Sequence, residues 1–457
     1  MAPWIPWWKL VRQLRPAFAR ETTFLWFALC LVGLTIRPDL RGVTSIIRAL
    51  GLRGVFYDRI LDFFHSQAVL VEPPRRPLGP PDSDPVARLP VPKVNDGPVL
   101  IGDGIKLAKT GRKMPAVKKL HQQSTNNTKP EFIYGHSCQA IALLVGCAQS
   151  FFALPLTCPI HEGLVLSNRQ TKSLLDKMIN LVRSLTIPIP LYLVLDAYYA
   201  SKVIVHGLLH SGCHLITQVR KNAVAYRPAL PNSEKRRGLK RKYVSSFIEA
   251  PSPAYGQTRV TIRYRPIDLL WRPVGILVRF VLVIHPQHGS KIFMTTDLSL
   301  SPLDILRIYG FRFKIEVAFK QALYTLGTYA YHFWIAAMTP HPNKSGDQYL
   351  HRKSQAYRDL ISRKMRAYHG HMQLGIIAQG LLQYLSLTCT KAVWQSFGSW
   401  LCTIRDGIYP SEQVTALALR NTLPELLVNS TQDITLVNFI RQKIDLDRQE
   451  GLRLIAA

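Results

Sequence analysis

The stretch LVLDAYYASK, residues 193–202, sets an apolar run against a single carboxylate, Asp196, and then breaks into aromatic and small residues. A short run of Leu and Val bounded by small residues reads as a buried strand. An acid at the tip of such a strand is unusual here, because Asp196 is the only acidic residue between Asp176 and Glu234. A second apolar run, GPVLIGD at 97–103, also ends on a carboxylate, Asp103. If the two strands are neighbours, both carboxylates emerge at one place.

Around these runs the chain reads as α/β. EFIYGHSCQAIALLV, residues 131–145, reads as one or two buried strands, and residues 169–185 as a helix leading into the strand that ends at Asp196. YYASKVIVHGLLHSG, 198–212, reads as a helix and HLITQVR, 214–220, as a further strand. Three strands, helix, strand, helix, strand is the order of a ribonuclease H-like core. Between about 221 and 300 the alternating segments RVTIRYRPIDLLW, ILVRFVLVIH and KIFMTTDL predict an antiparallel β insertion. Residues 1–71 read as helices, 72–98 hold nine of the 31 prolines and read as an extended linker, and 336–457 are mostly helical. The expected domains are therefore 1–71, a catalytic unit at 99–335 after the linker, and a helical C-terminal region.

Composition narrows the partner. With 58 Lys and Arg against 28 Asp and Glu the formal net charge is +30, spread along the whole chain, which points to a polyanion, nucleic acid first. Seven cysteines without a Cys-x-x-Cys pair argue against a disulfide framework or a zinc knuckle and fit a reducing cytosol. The apolar stretch 24–36 is too short to span a bilayer, so no stable membrane association is expected. Gly102 and Gly104 lack the third glycine and helix of a nucleotide loop. His206, His210 and His214 recur every four residues but run across a helix end, so they are not expected to share a metal. His136 could lie near the site if its strand neighbours Asp103, but a satisfied core histidine is the favoured reading, and Trp4, Trp7 and Trp8 read as packing residues.

A third carboxylate, Glu316, lies in SPLDILRIYGFRFKIEVAFKQALYTLG, residues 301–327. Ser301 can cap, Pro302 takes the first helical position and Asp304 the third, predicting one helix running to about Leu326. At about 100° per residue Tyr309, Arg312, Glu316 and Lys320 share a polar stripe, and Phe311, Ile315, Ala318, Ala322 and Leu326 an apolar face. Three carboxylates at one place would suit Mg²⁺, which takes hard oxygen ligands.

The order Asp103, Asp196, β insertion, then Tyr309-x2-Arg312-x3-Glu316 resembles the DDE transposases of bacterial insertion sequences, in the branch with a strand-rich insertion and a Tyr-Arg-Glu-Lys signature. DGIKLAKTGRKMP, EFIYGHS and the 295–320 segment carry the resemblance, which spans about 96–335. It implies that Asp103, Asp196 and Glu316 hold two divalent ions, Mg²⁺ with Mn²⁺ as a substitute, for phosphodiester cleavage at transposon ends and transfer of the 3′-hydroxyl into target DNA. It implies contacts to DNA from Tyr309, Arg312 and Lys320, a homodimer pairing two inverted repeats, and a cytoplasmic, nucleoid-associated protein. The family's Lys lies seven residues after the Glu, where this chain has Leu323, so the resemblance does not by itself assign a role to Lys320. Lys106, Lys109, Arg112, Lys113, Lys118 and Lys119, and a patch from Lys235 to Lys242 that includes Arg236 and Lys240, are the expected phosphate-binding clusters. A metal nuclease that cuts without joining, and a transposase descendant that binds DNA without cutting, are the rival readings.

Overall fold

The computed structural model describes residues 3–40, 42–66, 89–122, 130–147, 150–167, 172–185, 187, 190–227, 247–254, 259–398, 407–429 and 435–447. Most of the Pro-rich linker and the patch holding Arg236 and Lys240 lie outside them.

Four helices come first: α1 (Trp4–Gln13), α2 (Glu21–Ile36), α3 (Gly42–Ala49) and α4 (Phe56–His65). The core strands and helices follow as β1 (Lys93–Val94), β2 (Gly97–Ala108), β3 (Lys118–His121), β4 (Phe132–Cys147), β5 (Ser150–Thr157), β6 (Leu164–Val165), α5 (Leu174–Arg183), β7 (Leu191–Leu195), α6 (Lys202–Leu209) and β8 (Cys213–Val219). The insertion supplies β9 (Ala225–Tyr226), β10 (Ile248–Pro251), β11 (Thr261–Trp271), β12 (Leu277–His285) and β13 (Gly289–Thr295). After it come α7 (Pro302–Gly310), α8 (Lys314–Gln321), β14 (Gln348–Tyr349), α9 (Gln355–Thr388), α10 (Thr390–Phe397), α11 (Glu412–Asn429) and α12 (Thr435–Arg441).

One mixed sheet organises the molecule, in the order β10-β11-β12-β13-β8-β7-β2-β4-β3, with β5 also on β4. Within it β5, β4 and β2 are antiparallel, and β7 and β8 run parallel to β2. This is the ribonuclease H-like arrangement expected from the order of elements. Its third strand is β5, SFFALPLT, which the sequence pattern does not reveal: EFIYGHSCQAIALLV is a single long strand, and Pro155 and the lack of alternation disguise β5. The insertion is antiparallel, as expected, and continues the same sheet, because β13 pairs with β8 from Thr295↔Ile216 to Ile292↔Val219. A cross-strand Arg279–Asp268 pair, bidentate at 2.8 Å, fixes the β11–β12 register.

Alternation along the strands divides the core. Leu100, Ile141, Leu193 and Leu195 pack with α5 and α6 on one face of the sheet. Val99, Ile101, Tyr192 and Val194 face the helical body on the other, together with Ile315 and Ala318 of α8. That body combines both ends of the chain: α2 lies against α9 and α11, and α1 and α4 against α9. Trp4 and Trp7 are buried in it, and the Trp4 indole donates to the Leu419 carbonyl.

Arg37, just past α2, is the polar centre of this union. It is almost fully buried and donates to the carbonyls of Gly42, Leu326 and Gly327 and to the Ser45 hydroxyl. Burial pulls its guanidinium down to about 10, still charged at neutral pH. Gly327 has φ +61, and a Cβ there would come within 2.5 Å of the Arg37 guanidinium, so glycine alone fits. Replacing Arg37 strands several buried carbonyls; Arg37→Met should cost about 3 kcal/mol in urea unfolding, and a loss under about 0.5 kcal/mol would contradict this account.

Candidate active site

The register of the central strands determines where the acids lie. The β2–β7 pairing runs Val99↔Tyr192, Leu100↔Leu193, Ile101↔Val194, so Asp103 and Asp196 each lie two residues beyond the last pair. Adjacent strands are about 4.8 Å apart, and two residues onward restores the same face, here that of α8. The Asp196 side chain accepts from the Tyr198 amide at 3.0 Å and caps the short helical turn Ala197–Tyr199. Its carbonyl accepts from the Thr217 hydroxyl of β8 at 2.9 Å. Asp103 Oδ1 accepts from the Gly104 amide at 2.7 Å.

Glu316 arrives on α8, which packs across β2 and β5. The cap expected at Ser301 is present: its hydroxyl accepts from the Asp304 amide, with Pro302 at the first position. The single helix expected from Ser301 to about Leu326 is instead two. It breaks over Phe311–Phe313, where the amides of Phe311, Arg312, Lys314, Ile315 and Glu316 bond three residues back rather than four. Gly310 weakens the helix there, and Phe311 turns in to pack on Phe151 of β5, ring centroids 4.3 Å apart.

Arg312 leaves this tight turn and binds two of the three carboxylates. Its Nη1 donates to Asp103 Oδ2 at 3.1 Å and its Nη2 to Glu316 Oε1 at 2.7 Å. Burial lowers the guanidinium pKa, but Asp103, Tyr309 and Glu316 outweigh it and leave the group raised. Burial pushes Asp103 up to about 6 despite Arg312 and the Gly104 amide, with Asp196 and Glu316 adding to the rise. Burial likewise raises Asp196. Tyr309 is half-buried, edge-on to Phe293, and burial raises its phenol. The three carboxylates thus act on one another electrostatically, although Glu316 is half in solvent, at 56% side-chain exposure. Among the described residues no three His, Cys, Asp or Glu side chains are disposed to hold a metal ion; two of these carboxylates are held by Arg312 instead.

A cavity of about 190 Å³ adjoins Asp103 and Asp196, lined also by Lys106, Gln139, His161, Tyr198 and Tyr199. Gln139 donates to the Tyr199 hydroxyl at 3.0 Å, and burial of His161 lowers its imidazole to about 4, keeping it neutral. Neither Gln139 nor His161 stands out in the sequence; the β2–β4 register, Gly104↔Gln139, sets Gln139 on the sheet face opposite Asp103, where it donates to the Leu174 carbonyl and lines the cavity.

The other expected residues divide. Lys320 is exposed on α8, and Lys106 and Arg112 are exposed on or just after β2. Lys113 Nζ donates to the Ala336 carbonyl and Lys119 lies 3.8 Å from the Phe132 ring centroid. Lys118 is turned to Asp347 and Glu162, and Lys109 is buried between the Tyr329 and Tyr331 carbonyls, where burial lowers it to about 7. Lys109 is a core residue, not part of a solvated cluster. His136 is a core histidine too, its ring nitrogens 2.8 Å from the Tyr331 hydroxyl and the Pro115 carbonyl. His210 bonds the His206 carbonyl, and His214 the Thr296 hydroxyl. Among the described residues no helix is long and apolar enough to cross a membrane.

The chain belongs to the DDE superfamily endonucleases: the model of that family matches residues 13–271. Asp103 and Asp196 fall inside the matched segment; Tyr309, Arg312 and Glu316 follow it. No curated protein matches the chain. A cryo-EM structure of a piggyBac transposase synaptic complex with hairpin DNA aligns with 94% of this chain and 78% of its own, at 12% identity and a TM-score of 0.37.

The raised Asp103 has a stability consequence. A carboxyl whose pKa is higher folded than unfolded favours the fold fully below about pH 4, and that contribution is lost as pH rises through about 6. Without divalent ions, Asp103→Asn should therefore match the parent near pH 4 and exceed it at pH 7.5 by about 2 kcal/mol in denaturant unfolding. Parallel curves for the two proteins across that range would refute the assignment.

Proposed function

We propose that this member of the DDE superfamily endonucleases is a DNA transposase, and that Asp103, Asp196 and Glu316 hold its divalent ions. The observation that carries the reading is the convergence of three carboxylates from β2, β7 and α8 on one side of the sheet, in a chain with a net charge of +30. The donor chemistry is of the hard-oxygen kind that Mg²⁺ or Mn²⁺ takes, with Asp103 within β2, Asp196 just past β7 and Glu316 on α8, although Arg312 holds two of the three in this arrangement. When bound, a pair of such ions would activate the attacking water or 3′-hydroxyl and stabilise the leaving oxygen of an in-line displacement.

The protein's own groups supply the rest. Asp103 and Asp196 are fixed by backbone amides and by the β2–β7 pairing, so their oxygens present a preorganised anionic edge. Arg312 carries a forked donor suited to a phosphate oxygen pair beside the scissile bond. Tyr309, one helical turn before Arg312, is placed to position the same strand, and exposed Lys320, Lys106 and Arg112, with half-buried Lys113, to neutralise flanking phosphates. The net reaction at each end is hydrolysis of a phosphodiester. Joining exchanges one phosphodiester for another, so no nucleotide triphosphate is needed. The finer parts of the proposal are cut-and-paste movement of a bacterial insertion sequence, inverted-repeat recognition by residues 1–71, pairing of ends by a homodimer, and residence at the nucleoid.

The deciding experiment incubates the purified protein with Mg²⁺ and labelled DNA carrying the sequences that flank its gene, beside Asp196→Ala. End cleavage and joining by the parent, and neither by the variant, is the expected result. Cleavage without joining would make the protein a nuclease; specific binding without cleavage in Mg²⁺ or Mn²⁺ would make it a non-catalytic descendant. Arg312→Ala should slow cleavage by about 10²–10³-fold while changing DNA affinity little, and equal losses in both would contradict a role confined to the site.

A further inference from the structure

Arg312 has two partners that the proposed chemistry wants elsewhere. Its guanidinium donates to Asp103 at 3.1 Å and to Glu316 at 2.7 Å, one nitrogen to each, and so spans two of the three carboxylates assigned to the ions. The side chain is only 21% exposed, and Asp103 only 18%. Asp196 also lies within its electrostatic reach. The tight turn over Phe311–Phe313 holds Arg312 at this spot, since Phe311 is anchored on Phe151 and the Ile315 amide bonds the Arg312 carbonyl.

We propose that Arg312 is an internal stand-in for the cation: in the protein without DNA its fork occupies Asp103 and Glu316 and competes with divalent ions for them. A guanidinium fork matches a phosphate as well as it matches carboxylates, and a DNA phosphate beside the site offers it an alternative partner. Transfer of the fork from carboxylates to phosphate releases both acids together. Ion binding and DNA binding are then positively coupled, and by linkage the coupling is reciprocal. The free protein would carry a poorly loaded site and complete it on DNA, which suits an enzyme whose unguided activity would nick the host's own chromosome. This rests on the reading that the three carboxylates hold the ions.

The test is calorimetric titration of the full chain with Mn²⁺, with no cleavage measured. Without DNA, Arg312→Gln should bind Mn²⁺ about 10- to 100-fold more tightly than the parent, the equivalent of about 1.5–3 kcal/mol for hydrogen bonds to a charged group. Arg312→Lys keeps the charge but cannot fork to both carboxylates, so it too should bind more tightly than the parent. A short duplex carrying the flanking end sequence should tighten Mn²⁺ binding to the parent and leave Arg312→Gln nearly unchanged. The proposal is overturned if Arg312→Lys binds no better than the parent, because a gain confined to Arg312→Gln reflects lost charge alone. It is overturned equally if the duplex leaves the parent's affinity unchanged. If Asp196→Asn binds Mn²⁺ as well as the parent, or none of the proteins binds it, the assignment of the carboxylates themselves fails.

Discussion

Parallel pairing of Gly97–Ala108 with Leu191–Leu195 is the constraint on which the site depends. Three registered residue pairs place two carboxylates side by side, because a two-residue periodicity leaves each strand no choice of face once its apolar residues are committed. A one-residue slip of either strand would turn Ile101 or Val194, but not both, out of the helical body and send the acids to opposite sides. The apolar burial that makes the sheet therefore also aims the acids, and the Gly104 and Tyr198 amides hold their carboxylates in place.

The helices complete what the strands begin. Helix α8 brings Glu316 in across β2 and β5, and α9 lies behind it, with the Gln379 side chain donating to the Ala318 carbonyl at 3.0 Å. Gln383 ties the same long helix to the Ala153 carbonyl of β5 and to Glu412 of α11. Sheet, α8 and the C-terminal helices are thus joined by specific polar bonds inside an apolar body, which fixes one packing among the many that hydrophobicity alone would allow.

Much of this was legible in the sequence because it is local. Apolar runs ending at Asp103 and Asp196, the Ser301 cap and the alternation of the insertion all depend on neighbours a few residues away. What was not legible depends on distant partners. Lys109 reads as part of a basic run, yet its acceptors, Tyr329 and Tyr331, are over two hundred residues on. The split between α7 and α8 follows from Phe311 finding Phe151, and the polar stripe gives no sign that Arg312 turns to Asp103 as well as to Glu316. Strand β5 is defined only by β4 beside it.

Arg37 shows what such distances mean for a newly made chain. It enters the polypeptide 289 residues before Leu326, whose carbonyl it bonds. While synthesis proceeds, the first helices carry a cation that has no permanent interior to occupy, and α9 and α11, against which α2 rests, come later still. The N-terminal segment therefore completes its packing only after Leu326, α9 and α11 have been made. Chains cut short by a premature stop before residue 316 lack the third acid, and those ending before α9 lack the support that holds α8 against the sheet.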